Sequence, residues 1–219
     1  IHSYSLIHDD LPCMDNDNIR RGKLATHKKF GEATAVLAGN SLLTLAFELI
    51  TDKNYQIKTT QKNELIKSLA ECSGHTGIAG GQQLDLKFEN KRKNINQIID
   101  MQKKKTGKLF NFCLLAVGIV SERDRKDKYF LGNLGEDIGL LFQLADDFLD
   151  VKGAKEVVGK PLKKDKKKGK STLINLMGYG KAFLFANSLK RKILLKLKKH
   201  GTNAKDLIET IEFILGRNF

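Results

Sequence analysis

The chain has 219 residues and a formal net charge of +14, with 41% hydrophobic and 29% charged residues. This composition is typical of a soluble globular protein and excludes an intrinsically disordered one. The three cysteines lack the spacing of a metal site, which indicates a reducing compartment, and we expect the protein in the cytoplasm.

Helical periodicity dominates the chain, which has only two prolines and few alternating β-branched runs. We predict one all-helical domain, 1–219, whose N-terminal part precedes residue 1. In chain order, the predicted helices cover 1–11, 31–51, 59–79, 94–121, 124–151, 172–199 and 203–217.

Turn signals set several of the predicted boundaries. Pro12 is expected to stop the first helix, and Gly80-Gly81 to cap the third. Residues 152–171 are predicted to be a loop, because seven lysines lie between 160 and 170. The longest apolar run, 112–120, is too short to span a bilayer, so we do not expect an integral membrane protein.

The segment IHDDLPCMDNDNIRRG, residues 7–22, concentrates negative charge in a basic chain. Its acidic residues are Asp9, Asp10, Asp15 and Asp17. Carboxylates crowded in this way cost stability unless a cation lies among them. The arginines that follow, Arg20 and Arg21, suit an anion such as a phosphate.

A second acidic cluster occurs in GLLFQLADDFLD, residues 139–150. Because each helical residue advances about 100°, Gln143, Asp146 and Asp150 fall on one stripe, with Asp147 close by. A solvated acidic face is the alternative, but carboxylates near a helix C-terminus oppose the helix dipole. An apolar face on the same helix predicts a hydrophobic cavity behind the carboxylates.

Two such clusters fit one kind of ligand. Mg²⁺ prefers a few carboxylates together with waters and phosphate oxygens, and apolar walls accept a hydrocarbon tail. A diphosphate head joined to a hydrocarbon tail is a prenyl diphosphate.

With these motifs the sequence resembles the short-chain trans-prenyltransferases of the polyprenyl synthase family, and is most similar to bacterial farnesyl diphosphate synthases. DDLPCMD matches the first aspartate-rich motif in its DDxxxxD form, and DDFLD matches the second, DDxxD. The segments RRGK, GGQQLDL, KTGKL, FQLADD and GKST follow in the family's order. The family's upstream GGKR-type segment would lie before residue 1. The resemblance implies an all-α helical bundle around a deep central cavity, usually homodimeric and dependent on Mg²⁺.

The resemblance also implies roles for individual residues. Asp9 and Asp15 would bind two Mg²⁺ ions and Asp146 a third, with Asp10, Asp147 and Asp150 in support. The allylic diphosphate would be gripped by Arg20, Lys105, Lys160 and Lys170. Isopentenyl diphosphate would be held by His2 and Arg21. Oxygens of Lys105 and Thr106 and the Gln143 amide would face the allylic cation.

The implied reaction is ionisation of dimethylallyl or geranyl diphosphate, attack by the isopentenyl double bond, and loss of a proton to give farnesyl diphosphate. It needs no protein nucleophile. Tyr4 lies five residues before Asp9, about 7.5 Å along a helix, and resembles the aromatic floor that stops chain growth at C15.

Several alternatives remain open at this point. The enzyme alternatives are a geranylgeranyl diphosphate synthase and a class I terpene cyclase, although a cyclase would normally replace the second DDxxD. A non-catalytic subunit would be expected to have lost its aspartates. A nucleic-acid-binding protein is disfavoured because the lysines are scattered, without interleaved aromatic residues.

Some single residues also have more than one interpretation. Gln82 and Asp85 either brace the metal site or cap the preceding helix. Thr106 could instead bond a backbone carbonyl, and His2 could be an ordinary core histidine.

Overall fold

The computed structural model describes residues 1–91, 93–156 and 172–216, with the backbone alone for 152–156. Contacts between residues divide the chain into two compact units, Ile1–Ser73 and Gly74–Phe219. The expectation of a single domain stays a prediction.

The first unit is built from helices and one small hairpin. Its elements are α1 (His2–Asp9), β1 (Ile19–Arg20), β2 (Lys23–Leu24), α2 (Thr26–Phe30), α3 (Glu32–Thr51) and α4 (Thr59–Ser73). The antiparallel hairpin pairs Ile19 with Leu24 and Arg20 with Lys23. Its two turn residues, Arg21 and Gly22, have φ of 53° and 74°, the left-handed backbone that a two-residue hairpin turn requires.

In its described residues, the second unit contains helices joined by short turns and no strand. Its elements are α5 (Ile78–Phe88), α6 (Ile95–Gln102), a π-helical turn (Lys103–Gly107), α7 (Lys108–Val120), α8 (Arg125–Glu156), α9 (Leu173–Met177), α10 (Tyr179–Lys198), a 3₁₀ turn (Gly201–Ala204) and α11 (Lys205–Gly216). The predicted helix 94–121 is therefore a nearly continuous rod that contains one π turn. Such turns often lie at functional sites.

The third predicted helix, 59–79, was wrong at its C-terminus, because the helix ends at Ser73 and Gly80-Gly81 lie in the first turn of α5. These glycines do not cap a helix; they allow neighbouring backbone to approach closely. A Cβ atom at Gly80 would lie 1.8 Å from the carbonyl oxygen of His75, and one at Gly81 would lie 2.2 Å from the backbone nitrogen of Lys105.

Two further boundaries differ from the sequence-based prediction. The predicted helix 172–199 divides at Gly178, whose φ of +80° interrupts helical geometry. The helix predicted over 124–151 continues to Glu156, so the predicted loop begins later than residue 152, and 157–171 lie outside the described residues.

Helix α8 is the central element of the second unit, and its side chains Leu141, Leu144 and Phe148 are fully buried. It packs against α7, α10 and the π turn. A Cβ atom at Gly139 would lie 2.6 Å from the Cα atom of Gly107, so this glycine allows α8 to approach the π turn closely. The side chains of α8 and of the π turn are thereby held next to each other.

By length and composition alone, α3 could cross a membrane. Its mean hydropathy is 1.6 over an 18-residue window, of which 11% is buried. Helices of soluble proteins meet the same criterion, so the expectation that this is not an integral membrane protein stays a prediction.

Candidate active site

The first aspartate motif follows directly from the end of α1. The chain turns back at this point, and the backbone nitrogen of Asp15 donates a 2.8 Å hydrogen bond to the carbonyl oxygen of Asp9. Both residues are half-buried. The backbone therefore brings together the two aspartates that the sequence assigns to metal ions.

Asp10, between them in the sequence, is compensated by a cation. Its side chain is almost fully buried, and Arg20 Nε donates to its two carboxylate oxygens at 3.1 and 3.2 Å. Arg20 Nη2 also contacts Asp10, and lies 3.7 Å from the carboxylate of Asp17. The hydrogen bond to Asp10 raises the pKa of Arg20. The arginine assigned to diphosphate is thus already paired with a carboxylate.

His2 and Arg21, the residues assigned to isopentenyl diphosphate, lie together. Arg21 Nη2 donates to His2 Nε2 at 3.3 Å. Burial lowers the pKa of His2, and the nearby charge of Arg21 lowers it further. The lowered pKa favours the neutral imidazole, and because a guanidinium can only donate, Nε2 is the acceptor of this bond. The left-handed backbone of Arg21 in the hairpin turn places its side chain beside α1.

Tyr4, the predicted chain-length residue, is buried on α1 and 7% exposed. Its hydroxyl donates a long, 3.5 Å hydrogen bond to the carbonyl oxygen of Ser73, at the end of α4. Burial raises the pKa of Tyr4 to about 12, with further contributions from Cys72 and Asp9. A neutral aromatic ring therefore lies behind the first aspartate motif.

His8, to which the sequence assigned no role, joins α1 to α3. Its Nε2 donates to the carbonyl oxygen of Val36 at 3.2 Å, and its ring lies edge-on to Tyr4 with centroids 5.9 Å apart. A Cβ atom at Gly39 would lie 2.0 Å from His8 Nε2, so only glycine leaves room for the imidazole. The histidine thus fixes the helix that ends in the aspartates.

The second aspartate motif carries a buried carboxylate that is held by two amides. Asp147 is 7% exposed, and Gln143 Nε2 donates to its Oδ1 at 3.0 Å. Gln102 Nε2 donates to its Oδ2 at 3.2 Å. Thr106 Oγ1 donates to Gln143 Oε1 at 3.0 Å, so the hydroxyl and amide predicted to face the allylic cation are in contact.

Gln102 was not identified from the sequence. It is buried at the C-terminus of α6, 45 residues from Asp147, and no motif singles it out. Its Oε1 is buried without a hydrogen-bond partner among the described residues. The amide therefore makes its one hydrogen bond through the nitrogen, to a motif carboxylate.

The electrostatics of the second motif favour a bound cation. Burial raises the pKa of Asp147 to about 7, and repulsion from Asp150 and Asp146 adds to it, although the amides of Gln143 and Gln102 oppose the shift. Asp146 is half-buried and Asp150 is exposed. The cluster is thus destabilised by its own negative charge, and a cation would remove that destabilisation.

Lys105 forms an ion pair within the second unit. Its Nζ lies 2.7 Å from Oδ2 of Asp85, and both side chains are largely buried, 21% and 13% exposed. Asp85 lies within α5 and contacts Lys105, so it does not cap the preceding helix, and its role in bracing the metal site stays a prediction. Gln82, from the same motif, is buried on α5. Lys160 and Lys170 lie outside the described residues.

In the described ranges, no three His, Cys, Asp or Glu side chains are grouped closely enough to hold a metal ion alone. Mg²⁺ is bound through one or two carboxylates, with waters and phosphate oxygens completing its shell. Asp9 with Asp15, and Asp146 with Asp150, are donor sets of this kind.

Comparisons with known proteins agree with the motifs. The family described as Polyprenyl synthetase matches residues 1–213. The farnesyl diphosphate synthase of Bacillus subtilis is 42% identical over 178 residues, covering 81% of this chain and 60% of that protein. The enzyme of the same name from Micrococcus luteus is 40% identical over 218 residues, covering 100% of this chain and 74% of that protein.

A solved structure shares the fold. The geranyltransferase of Helicobacter pylori, crystallised with magnesium and isoprenyl diphosphate, is 34% identical, with a TM-score of 0.81 over 98% of this chain and 70% of that one. The predicted all-α isoprenoid synthase fold is thereby confirmed. The chain spans 60% to 74% of the length of the two enzymes from Bacillus subtilis and Micrococcus luteus. By its sequence and its fold, the chain belongs to the polyprenyl synthetase family.

Proposed function

We propose that this chain is part of a Mg²⁺-dependent prenyltransferase that condenses isopentenyl diphosphate with dimethylallyl or geranyl diphosphate to give farnesyl diphosphate. The observation that carries the proposal is that both aspartate motifs are intact in a chain about 40% identical to farnesyl diphosphate synthases. A homodimer in the cytoplasm, with no nucleic acid bound, is the expected state.

The metal is proposed to be Mg²⁺, with three ions in each active site. Asp9 and Asp15 would hold two of them, and Asp146 with Asp150 the third. When bound, the metal supplies positive charge that stabilises the departing diphosphate. The raised pKa of Asp147 supports a cation here, because a cation would favour the ionised carboxylate.

Two cations assigned to the diphosphate begin in ion pairs with carboxylates. Arg20 is paired with Asp10, and Lys105 with Asp85. A diphosphate offers stronger negative charge and more acceptor oxygens than one carboxylate. We therefore propose that these two carboxylates orient Arg20 and Lys105 before the substrate arrives.

Thr106 and Gln143 would stabilise the allylic cation. Gln143 donates through nitrogen to Asp147, which turns its carbonyl oxygen toward the hydroxyl of Thr106. Fixed oxygen dipoles stabilise developing positive charge without forming a covalent bond. The proton lost after condensation would pass to the departing diphosphate.

The enzyme alternatives differ in the product. A geranylgeranyl diphosphate synthase would share all of these residues apart from the floor at Tyr4. A class I terpene cyclase would not consume isopentenyl diphosphate. Arg21 and His2, which lie together, favour a second diphosphate substrate over a cyclase.

The test uses the complete protein with Mg²⁺, labelled isopentenyl diphosphate and each allylic primer in turn, and sizes the extracted products by chromatography. Asp9→Ala and Asp146→Ala are compared with Asp206→Ala, an exposed aspartate outside both motifs. We expect a C15 product that is lost in the two motif variants alone. A C20 product would keep the reaction and reject the floor, whereas no condensation would reject the proposed function.

A further inference from the structure

The outward face of α10 is basic, while its inward face is part of the core. The inner side chains are apolar and buried: Ala182, Ala186, Leu189, Ile193 and Leu197. Residues 179–199 contain seven lysines and arginines and no acidic residue. Positive charges on one helix face repel one another, and either bound anions or the surrounding water and salt must offset that repulsion.

Two leucines lie on the same outward face. Leu184 is 71% exposed and Leu195 is 54% exposed. They are 11 residues apart, about 16 Å along the helix, and about 20° apart around its axis. The exposed basic residues that surround them are Lys181, Arg191, Lys192, Lys198 and Lys199.

The basic charge on this face is only partly compensated. Lys192 and Lys196 lie 3.3 and 2.8 Å from the carboxylate of Asp137 on α8. Within the described ranges, no ion pair involves Arg191 or Lys199. These two cations are therefore available to an external anion.

The same residues border a shallow depression of about 420 Å³. Its lining consists of Ser188, Arg191, Lys192, Leu195, Lys196 and Lys199. A hydroxyl and several cations around an exposed leucine suit a ligand that has a phosphate next to hydrocarbon.

We propose that the outer face of α10 docks on the surface of a bilayer that contains anionic phospholipids. Leu184 and Leu195 would enter the boundary between headgroups and acyl chains, while the long basic side chains extend to the phosphates. Each basic residue near an anionic membrane surface adds to the attraction, which salt screens. The exposed leucines favour lipid over nucleic acid, because a nucleic-acid backbone offers phosphates but no hydrocarbon layer that could receive the leucines. This inference does not depend on the proposed activity.

The experiment measures sedimentation of the protein with vesicles of phosphatidylcholine, with or without phosphatidylglycerol. We expect binding to the anionic vesicles alone. The double variant Arg191→Glu/Lys199→Glu should weaken that binding at least about tenfold, since two attractive charges are reversed. Leu184→Ser/Leu195→Ser should also weaken it, at unchanged net charge.

The matched control is Lys67→Glu/Lys126→Glu, which makes the same change in net charge at exposed sites on α4 and α8. An equal loss in this control would mean that overall charge alone drives binding, and would overturn the proposal. Binding that survives the leucine substitutions would also overturn the proposal. The same holds if inorganic phosphate or DNA abolishes binding at constant ionic strength. Circular dichroism of each variant checks that the helices remain folded.

Discussion

The two aspartate motifs carry similar sequences, but the protein compensates their buried carboxylates differently. In the first, Asp10 is buried against the guanidinium of Arg20, a full positive charge. In the second, Asp147 is buried against two neutral amides, Gln102 and Gln143. The first carboxylate is neutralised by an arginine, whereas among the described residues the second is held by neutral amides alone.

The sequence pattern of the two motifs does not predict this difference in the electrostatics of their buried carboxylates. Burial and repulsion raise the pKa of Asp147 to about 7, despite its two hydrogen bonds. Amide dipoles are weaker than a full charge and do not offset the loss of hydration. The buried carboxylate of the second motif should therefore respond to pH and to added cations more strongly than the buried carboxylate of the first.

The largest expected loss of stability from a single substitution is in the first motif. Arg20→Leu would leave the buried carboxylate of Asp10 without its cation, and should lower the free energy of unfolding by about 3 kcal/mol. This is the low end for such pairs, because the Arg20 side chain is 37% exposed and water can replace part of it. Urea denaturation measures the change.

Arg123→Leu, at an exposed turn, is the matched control for loss of one arginine. In the Asp10→Asn variant, Arg20→Leu should lower the free energy of unfolding much less, because the buried carboxylate that needs the arginine is no longer present. An equal cost in both backgrounds would contradict compensation by the ion pair.

The next effect concerns pH and the second motif. In metal-free buffer, the ionised Asp147 destabilises the folded chain, because its pKa is about 7 in the folded protein and 3.8 for an unperturbed aspartate. Stability should fall as pH rises from about 4 to about 7, by at most about 4 kcal/mol, since one pKa unit is about 1.4 kcal/mol. Asp147→Asn should remove this slope.

The measurement is urea denaturation of both proteins from pH 4 to pH 8, with a chelator present. The variant's advantage should be near zero at pH 4 and largest above pH 7. A difference independent of pH would mean that Asp147 is not held near a raised pKa. Mg²⁺ should reduce the difference if it binds at this motif.

A smaller effect isolates the amides. Gln102→Leu removes one donor from Asp147 and should cost about 1–3 kcal/mol, the usual penalty for an unsatisfied buried group. The loss should be greater at pH 8 than at pH 5, because the hydrogen bond stabilises the ionised carboxylate. Gln83→Leu, at an exposed position on α5, is the control. An equal loss at both pH values would indicate a packing role alone.

The contacts of these residues show how far the sequence could predict the site. The approach of Thr106 to Gln143 and of His2 to Arg21 agrees with the family's motifs, since each of these residues lies in or beside a recognisable segment. Gln102 could not be found in this way, because glutamine is common in helices and its partner is 45 residues distant.

The prediction of the fold was also correct where a local pattern was present. It was wrong where contacts or unusual turn residues decided the structure. Helical periodicity located the helices, but Gly80 and Gly81 were interpreted as a cap when they permit close packing with His75 and Lys105. The hairpin was missed because Arg21 occupies a turn position that usually holds asparagine, aspartate or glycine. For Gly81, the deciding contact is with Lys105, a residue outside the local pattern.

The smallest effect tests the side-chain contacts that hold the first motif's short helix. Helix α1 has eight residues, so its position depends on Tyr4 and His8, whereas α8 has 32 residues and a long buried face. Tyr4→Phe removes only a 3.5 Å hydrogen bond and should cost about 0.5 kcal/mol, measured by denaturation. Because the ring remains, the proposed C15 product of the complete protein should not change.

Tyr4→Ala separates the hydroxyl from the ring volume. Removing the ring would open space behind the first aspartate motif, and the complete enzyme should then release longer products, which chromatography of the extracted lipids would size. If the volume of the ring limits chain length, Tyr4→Phe must give the same products as the unsubstituted enzyme, and Tyr4→Ala must give longer ones. Longer products from Tyr4→Phe would instead assign chain length to the hydroxyl and its bond to Ser73, and an unchanged profile in Tyr4→Ala would remove Tyr4 from the floor altogether.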